Sequence, residues 1–307
     1  MTTWLQRQEA LEREVQHGDG QDEDGESADQ DEDQDEGDSD EDSESDDVAG
    51  VGESQPPPDD EDVKALRQLV NSNVARAYYV PLTPTARQVS LSTLTSSYGT
   101  PDFHQELNDF LRDYRPGAPL ATEFSTFDLY HSLGLLLPPN IHISNEKRIC
   151  RLRAAPAVPR INDKKAVAAR FDCGLFIDDD ALYRARGGLE GLRPGQVRAI
   201  FRLPDWMGGS EPLLYVNWFR PFRTPDTITG LPPTSHSTRV RRRNATVVSI
   251  RDLVRTCHLM PKFGAEDLGV VDSWMLKDPD SDILDEPNMT FLLNRYYDFH
   301  TFYLLSQ

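Results

Sequence analysis

A long acidic tract limits which part of this chain can fold. Residues 19–62 hold 23 aspartate and glutamate residues, with no lysine, no arginine and no aromatic residue. Carboxylates at this density repel one another in any compact state, and the few apolar side chains cannot offset the conformational entropy that folding costs. The tract therefore predicts a disordered acidic linker, with the folded body of the protein after it.

The rest of the chain is mildly basic. Without the 23 carboxylates of the tract, the formal charge changes from −20 to +3. The 245 residues from 63 to 307 are enough for one large domain or two small ones. No apolar run is long enough to span a membrane, and residues 1–16 lack the basic start and apolar core of a signal peptide. We therefore expect an intracellular protein with no membrane partner, and the basic body makes a nucleic-acid partner admissible.

Cysteine and histidine spacing gives no sign of a disulfide framework or a metal site. The cysteines Cys150, Cys173 and Cys257 are odd in number and too few for a disulfide-stapled fold, which agrees with a reducing compartment. None of them forms the close pair that zinc sites use, and Cys257 and His258 would point in different directions on a helix. We therefore predict no metal and no cofactor.

Composition divides the chain into four segments. Residues 1–18 contain a loosely amphipathic stretch that predicts a short helix, and residues 19–62 form the acidic linker. Residues 63–116 are predicted to be a helical segment, because apolar residues recur there with helical spacing. Within this segment Thr100 is predicted to cap a helix over TPDFHQELNDFLRDY. Residues 117–307 are predicted to form a β-rich domain.

Short apolar runs bounded by turn-forming residues predict the strands of the β-rich domain. These runs are 170–178, 196–204, 212–222 and 245–250. The middle two are predicted to pair as a hairpin joined through residues 205–211. The chain after Ser249 is predicted to turn helical and to stop near Gly264. The predicted fold class is α+β: short N-terminal helices, then a small antiparallel β barrel or sandwich with a C-terminal helical and aromatic closing segment.

A cluster of arginines is the strongest candidate for a binding site. Short basic runs contact nucleic-acid phosphates or act as nuclear import signals. The candidate nucleic-acid-binding residues are Arg239, Arg241, Arg242, Arg243, Arg251 and Arg255. The alternative is that this stretch is a solvated loop that precedes a strand.

Four aspartates form the one cluster that suggests two-metal nuclease chemistry, namely Asp172 and the three consecutive residues at 178–180. Consecutive aspartates at a strand end are, however, ordinary turn residues, and no third partner is identifiable. The sequence also has no nucleophile elbow and no phosphate-binding glycine loop. We therefore predict that the chain is not an enzyme.

Aromatic residues flank the predicted hairpin. Trp206, Trp218, Phe219 and Phe222 could line a groove for a peptide or a base. The simpler interpretation is that they belong to the core, because aromatic strand residues usually fill the interior of a β domain. Both interpretations remain open at the level of the sequence.

Several segments with apolar and aromatic patterning follow one another in a distinctive order. They are WLQRQE, the acidic linker, YGTPDFHQELNDFLRDY, FSTFDLYHSLGLLLPP, ARFDCGLF, GQVRAIFRLP, EPLLYVNWFRPF and IRDLVRTCHLMPKFG. In this order they resemble the C-terminal region of transposase-like proteins from mobile elements of mushroom-forming fungi, of the Plavaka and KDZ types. The resemblance implies that a DNA-cutting core would lie upstream of the matching region, so no catalytic residue carries over.

The resemblance and the basic body together suggest a function. They imply a non-catalytic, transposon-derived nuclear module that associates with DNA, chromatin or other proteins. The alternative is a protein-interaction scaffold whose acidic tract engages basic partners such as histones.

Overall fold

Antiparallel strands make up most of this α+β structure, and its described helices are few and short. The computed structural model describes residues 77–304 apart from 141, 144, 146, 160–165, 210 and 263–281. The helix predicted over 1–18, the acidic linker over 19–62 and the first part of the segment predicted as helical, 63–76, lie outside the described residues.

Most of the described elements are short, and the longest described strand has 11 residues. The strands are β1 (Ala77–Tyr79), β2 (Ala86–Ser90), β3 (Thr126–Tyr130), β4 (Ser132–Leu137), β5 (Arg148–Ala155), β6 (Arg170–Phe171), β7 (Cys173–Ile177), β8 (Leu192–Arg202), β9 (Pro212–Trp218), β10 (Pro233–Ser235), β11 (Thr238–Arg239), β12 (Arg242–Arg243), β13 (Ala245–Ser249), β14 (Leu253–Cys257), β15 (Leu259–Pro261) and β16 (Thr290–Leu293). The helices are α1 (Leu91–Tyr98), α2 (Phe103–Tyr114), α3 (Asp180–Arg186) and α4 (Phe299–Leu304).

The long strand β8 is the centre of the largest sheet. β9 pairs with one edge of β8, whereas β7 and β3 share the other edge, β7 near Leu192 and β3 near Arg202. β13 extends this sheet beyond β9, β2 extends it beyond β3, and β14 joins it through β7. A second sheet has the strand order β1-β4-β5-β6, and a third has the order β10-β16-β15. None of the sheets within the described residues closes on itself.

Several sequence predictions are confirmed by these elements. The four predicted strand runs correspond to β7, β8, β9 and β13, although β8 begins before its predicted run, at Leu192. β8 and β9 pair as the predicted hairpin. The helix predicted over TPDFHQELNDFLRDY is α2. Its N-cap is Asp102 and not the predicted Thr100, which is buried. The sheets begin earlier than residue 117, because β1 and β2 pair with β4 and β3.

The prediction that the chain turns helical after Ser249 is wrong. One 3-10 turn at Ile250–Asp252 follows Ser249, and the chain then continues as β14. All five residues of β14 are buried, and its backbone pairs with β7. A strand that is buried on both faces shows no alternation of polar and apolar residues, so periodicity alone cannot separate it from a buried helix.

An aromatic cluster joins α2 to the largest sheet. The ring centroid of Phe103, at the start of α2, lies 5.3 Å from that of Phe127, 4.9 Å from that of Phe201 and 5.7 Å from that of Tyr215. All four side chains are almost completely buried. Because the three partners come from β3, β8 and β9, this contact fixes α2 across three strands of the sheet.

Candidate nucleic-acid interface

Residues 238–243, which we call the basic hairpin, form a very short two-stranded ribbon. Thr238 pairs with Arg243, and Arg239 pairs with Arg242. The two turn residues, Val240 and Arg241, have φ angles of 50° and 61°. Positive φ at both positions matches a type I′ turn, which favours asparagine and glycine and is strained for a β-branched valine. The side chain of Val240 at this turn is also 89% exposed.

Three of the predicted arginines are exposed on the basic hairpin. Arg239 and Arg242 lie on its two strands, and Arg241 lies in the turn. The Nη1 atom of Arg242 lies 3.1 Å from Oδ1 of Asp102, the residue that precedes α2. Exposed guanidinium groups can form paired hydrogen bonds with phosphate oxygens. The structure therefore brings together half of the predicted set on one surface.

Arg243 belongs to the same hairpin but is largely buried. Its two Nη atoms each donate a hydrogen bond of 3.3 Å to the carbonyl oxygen of Leu284. Its guanidinium carbon lies 5.3 Å from the centre of the Phe219 ring, and its Nη1 lies 3.6 Å from Oδ1 of Asp285. Burial lowers the pKa of Arg243, and the charge of Asp285 counteracts that effect. Arg243 therefore anchors the hairpin to the domain.

The remaining two predicted arginines lie elsewhere. Arg251 is exposed beyond the far end of β13, where its Nε lies 2.6 Å from Oε1 of Glu211. Arg255 is only 4% exposed, and its Nη2 lies 3.3 Å from Oδ1 of Asp298. The guanidinium group of Arg255 is thus enclosed and paired inside the domain, a placement that does not favour the predicted contact with nucleic acid.

A cavity of about 580 Å³ lies beside the basic hairpin. Its lining residues are Gly99, Pro101, Asp102, Arg198, Tyr215, Asn217, Arg242, Arg243, Ala245 and Asp285. Arg198 is buried there: its Nε donates a 2.8 Å hydrogen bond to the carbonyl oxygen of Tyr98, and its Nη1 donates one of 2.9 Å to Asp285. Its guanidinium carbon also lies 3.8 Å from the centre of the Phe171 ring.

Residues 282–286, which we call the acidic segment, lie at one side of this cavity, where Asp285 lines it. Asp282 accepts a 2.7 Å hydrogen bond from Nε2 of Gln196, and the carbonyl oxygen of Leu284 lies 2.7 Å from Nε2 of His236. Burial lowers the pKa of His236 to about 4, with a further contribution from the charge of Arg243. His236 is therefore neutral at physiological pH and adds no charge to the cavity.

A second concave surface, which we call the aromatic groove, lies at the β2, β3 and β8 side of the domain. It has a volume of about 1070 Å³, and Phe124 and Trp206 on its walls are 91% and 55% exposed. The groove also contains Arg202, whose guanidinium carbon lies 5.1 Å from the centre of the Tyr130 ring. Large aromatic side chains at this exposure are typical of surfaces that bind a partner.

The aromatic residues considered in the sequence divide between core and groove. Trp218 and Phe219 are buried, Phe222 is half-buried, and Trp206 lines the aromatic groove. Sequence reasoning missed Phe124, because it lies in a loop without periodicity. It also missed Arg198, for which a signal existed: a single charged residue inside the apolar run QVRAIF.

Each aspartate of the suspected nuclease cluster has a structural partner. Asp172 accepts a 2.8 Å hydrogen bond from the Arg153 backbone N–H. Asp179 is the N-cap of α3, Asp180 pairs with Arg184 at 2.8 Å, and Asp178 lies 3.6 Å from an Nη of Arg193. Across the described ranges, no group of three or more histidine, cysteine, aspartate or glutamate residues could hold a metal ion.

The cysteines are buried and free. Cys173 and Cys257 face each other as register partners on β7 and β14. Burial raises the pKa of Cys257 to about 12 and that of Cys173 well above its ordinary value. Both thiols are therefore protonated at neutral pH, in an environment where they react slowly.

The comparisons with known proteins give no match. No protein-family model matches the chain, and neither a curated protein nor a solved structure matches it. Among the described residues, no helix is long and apolar enough to cross a membrane. The transposase-like resemblance therefore stays a prediction.

Proposed function

We propose that this protein is a non-catalytic, transposon-derived nuclear module that associates with DNA or chromatin through the basic hairpin. The observation that carries the proposal is the joint exposure of Arg239, Arg241 and Arg242 on one short ribbon. Contacts between arginines and phosphates release condensed counterions, which drives binding at low salt. A two-stranded ribbon is also narrow enough to enter the major groove of DNA.

The carboxylates beside the basic hairpin reduce its positive charge. Asp102 pairs with Arg242. Burial and neighbouring aspartates raise the pKa of Glu106 on α2, while the charge of Arg239 lowers it, so these two side chains also interact. Binding to DNA would have to compete with both contacts. We therefore expect moderate affinity that falls steeply with salt.

Replacing the three exposed arginines together, as Arg239→Gln, Arg241→Gln and Arg242→Gln, is expected to remove most binding to duplex DNA. If all three contact phosphates, the slope of log affinity against log salt should lose about 3 units, one for each contact. Fluorescence anisotropy of a labelled duplex, titrated between about 50 and 200 mM salt, measures both quantities.

A matched control substitutes three exposed arginines on other elements, Arg151→Gln, Arg184→Gln and Arg186→Gln. This variant has the same net charge as the hairpin variant, and we expect it to keep most of the affinity and the salt slope. Equal losses in the two variants would show that net charge, and not the hairpin, determines binding. A wild-type chain that ignores duplex DNA at low salt would end the DNA proposal.

The barrel or sandwich arrangement is part of the same proposal. It is supported by the path of the chain at residue 131, where β3 of the largest sheet is followed directly by β4 of the second sheet. The backbone N–H of Ala154 donates a 2.9 Å hydrogen bond to the carbonyl oxygen of His131 at this corner. Strands that pass from one sheet to another at a corner are common in both architectures.

A protein-interaction scaffold is the second candidate, and the aromatic groove favours it. Phe124 and Trp206 offer rigid aromatic contacts of the kind that peptide-binding grooves use. In this function the acidic tract at 19–62 would attract basic partners such as histones.

Deletion of residues 19–62 is expected to lower the retention of the full chain on immobilised histones by about tenfold or more, because 23 carboxylates are removed. The double substitution Phe124→Ala and Trp206→Ala separates the groove from the tract, since it changes no charge. Retention that is unchanged by the deletion would contradict the acidic-partner version of this function.

A further inference from the structure

More arginines than carboxylates line the cavity beside the basic hairpin. Arg198, Arg242 and Arg243 line it, against the carboxylates Asp102 and Asp285. Arg242 pairs with Asp102 on the outer side, at 3.1 Å. The two inner arginines share one carboxylate, because Asp285 lies 2.9 Å from Nη1 of Arg198 and 3.6 Å from Nη1 of Arg243. Asp282 does not line the cavity, but its carboxylate also interacts electrostatically with Arg198 and Arg243, so two carboxylates balance the two inner arginines.

Arg198 is held in place as if for a ligand. It lies on β8 among apolar neighbours, where a buried cation is costly unless it is paired. The Tyr98 carbonyl oxygen and the Phe171 ring fix its orientation. The φ angle of Gly99 is +65°, and a β-carbon added there would lie 2.4 Å from Nη2 of Arg198, so a larger residue would strain the backbone and force the guanidinium group to shift. The geometry thus depends on contacts that are unrelated to Asp285.

The inner arginines have more donors than Asp285 can satisfy. Each guanidinium group carries five N–H donors. Within the described residues, the Nε of Arg243 is buried without a hydrogen-bond partner. Asp285 itself comes from the acidic segment, and its side chain is 44% exposed. Asp285 is therefore the cavity carboxylate that both inner arginines contact, whereas Asp282 hydrogen-bonds to Gln196 and interacts with the arginines only electrostatically.

We propose that this cavity is a phosphate-binding site in which the carboxylate of Asp285 occupies the position of the phosphate and competes with it. A phosphate group has more acceptor oxygens than a carboxylate and suits guanidinium forks on two sides. The volume of about 580 Å³ exceeds that of a phosphate ion and leaves room for an attached nucleoside beside Tyr215 and Asn217. The proposal deepens the proposed function and rests on it for the source of the phosphate, a nucleic-acid strand or a nucleotide.

The test is a calorimetric titration of the full-length protein with inorganic phosphate, in which a chloride salt keeps the ionic strength constant. Asp285→Asn is expected to raise the phosphate affinity about tenfold, because it frees two charged donors from their internal partner. Arg243→Gln is expected to lower the affinity by about the same factor. The control Asp180→Asn removes an exposed carboxylate from another arginine pair and is expected to change nothing.

Parallel titrations with adenosine monophosphate and with a 5′-phosphorylated oligonucleotide identify the source of the phosphate. Stronger binding of either one than of inorganic phosphate supports a nucleotide or a strand end, respectively. The proposal is overturned if neither the wild type nor Asp285→Asn binds phosphate saturably. It is also overturned if Asp180→Asn gains as much phosphate affinity as Asp285→Asn. The double variant Arg239→Gln and Arg241→Gln serves as a separate check, because it leaves Arg242 in the cavity. Weaker duplex binding with phosphate binding retained in this variant defines two independent sites.

Discussion

The substitution Asp298→Ala is expected to lower the free energy of unfolding by about 3–5 kcal/mol. Asp298 and Arg255 form an ion pair whose side chains are 7% and 5% exposed. Nη2 of Arg255 also donates a 2.6 Å hydrogen bond to Oγ1 of Thr301. Removing the carboxylate leaves Arg255 charged and enclosed. The cost is the desolvation of an unpaired cation, which exceeds the net value of the pair itself.

Chemical denaturation, followed by circular dichroism, measures this change. Asp180→Ala is the matched control, because Asp180 is paired with Arg184 on the exposed face of α3, and its loss should change stability by less than about 0.5 kcal/mol. The double variant Arg255→Met and Asp298→Leu should recover much of the loss, since no buried charge remains. A loss below about 1 kcal/mol in Asp298→Ala would mean that water reaches the pair in solution.

The second large effect concerns the aromatic cluster under α2. Phe103→Ala is expected to destabilise the fold by about 3–5 kcal/mol, because it removes a fully buried ring and leaves a cavity. Phe127, Phe201 and Tyr215 cannot collapse into the space freely, since each is fixed on a different strand of one sheet. The effect should be visible as a lower denaturation midpoint with an unchanged dependence on denaturant concentration.

Phe124→Ala is the control for this substitution. It deletes the same side chain at a position that is 91% exposed, so its effect should be small. Equal stability of Phe103→Ala and Phe124→Ala would contradict the structure. In that case the ring of Phe103 would not be packed between α2 and the sheet.

Helical and strand periodicity predicted the part of the fold in which one face is buried. The residues of α2 alternate between a buried face with Leu107 and Leu111 and an exposed face, and the sequence shows that pattern directly. In β14 the burial is complete, so the alternation that separates strand from helix is missing and the prediction was wrong. The pairing of β14 with β7 is set by residues about 80 positions away, which no local pattern encodes.

The candidate site was predictable only where it is local. Arg239 and Arg242 are close in sequence and meet on one hairpin. Arg255 was grouped with them because it lies close to them in sequence, although as part of β14 it is buried inside the domain. The contact of Arg198 with Asp285 joins residues 87 positions apart and depends on the tertiary fold, so the cavity could not be derived from the sequence.

The central position of β8 has a consequence for how the chain reaches its native state. The strands that directly border β8 come from both sides of it in sequence, β3 beginning at residue 126 and β9 ending at residue 218. β7 and β9 are close to β8 in sequence, whereas the pairings of β3 with β8 and of β7 with β14 join distant segments. Distant pairings of this kind slow folding and leave strand edges open until late. During synthesis, β3 and β7 must wait for β8 to emerge, and β14 completes the sheet only after residue 257. Strand edges of the largest sheet therefore stay unpaired during synthesis until residue 257 has been made.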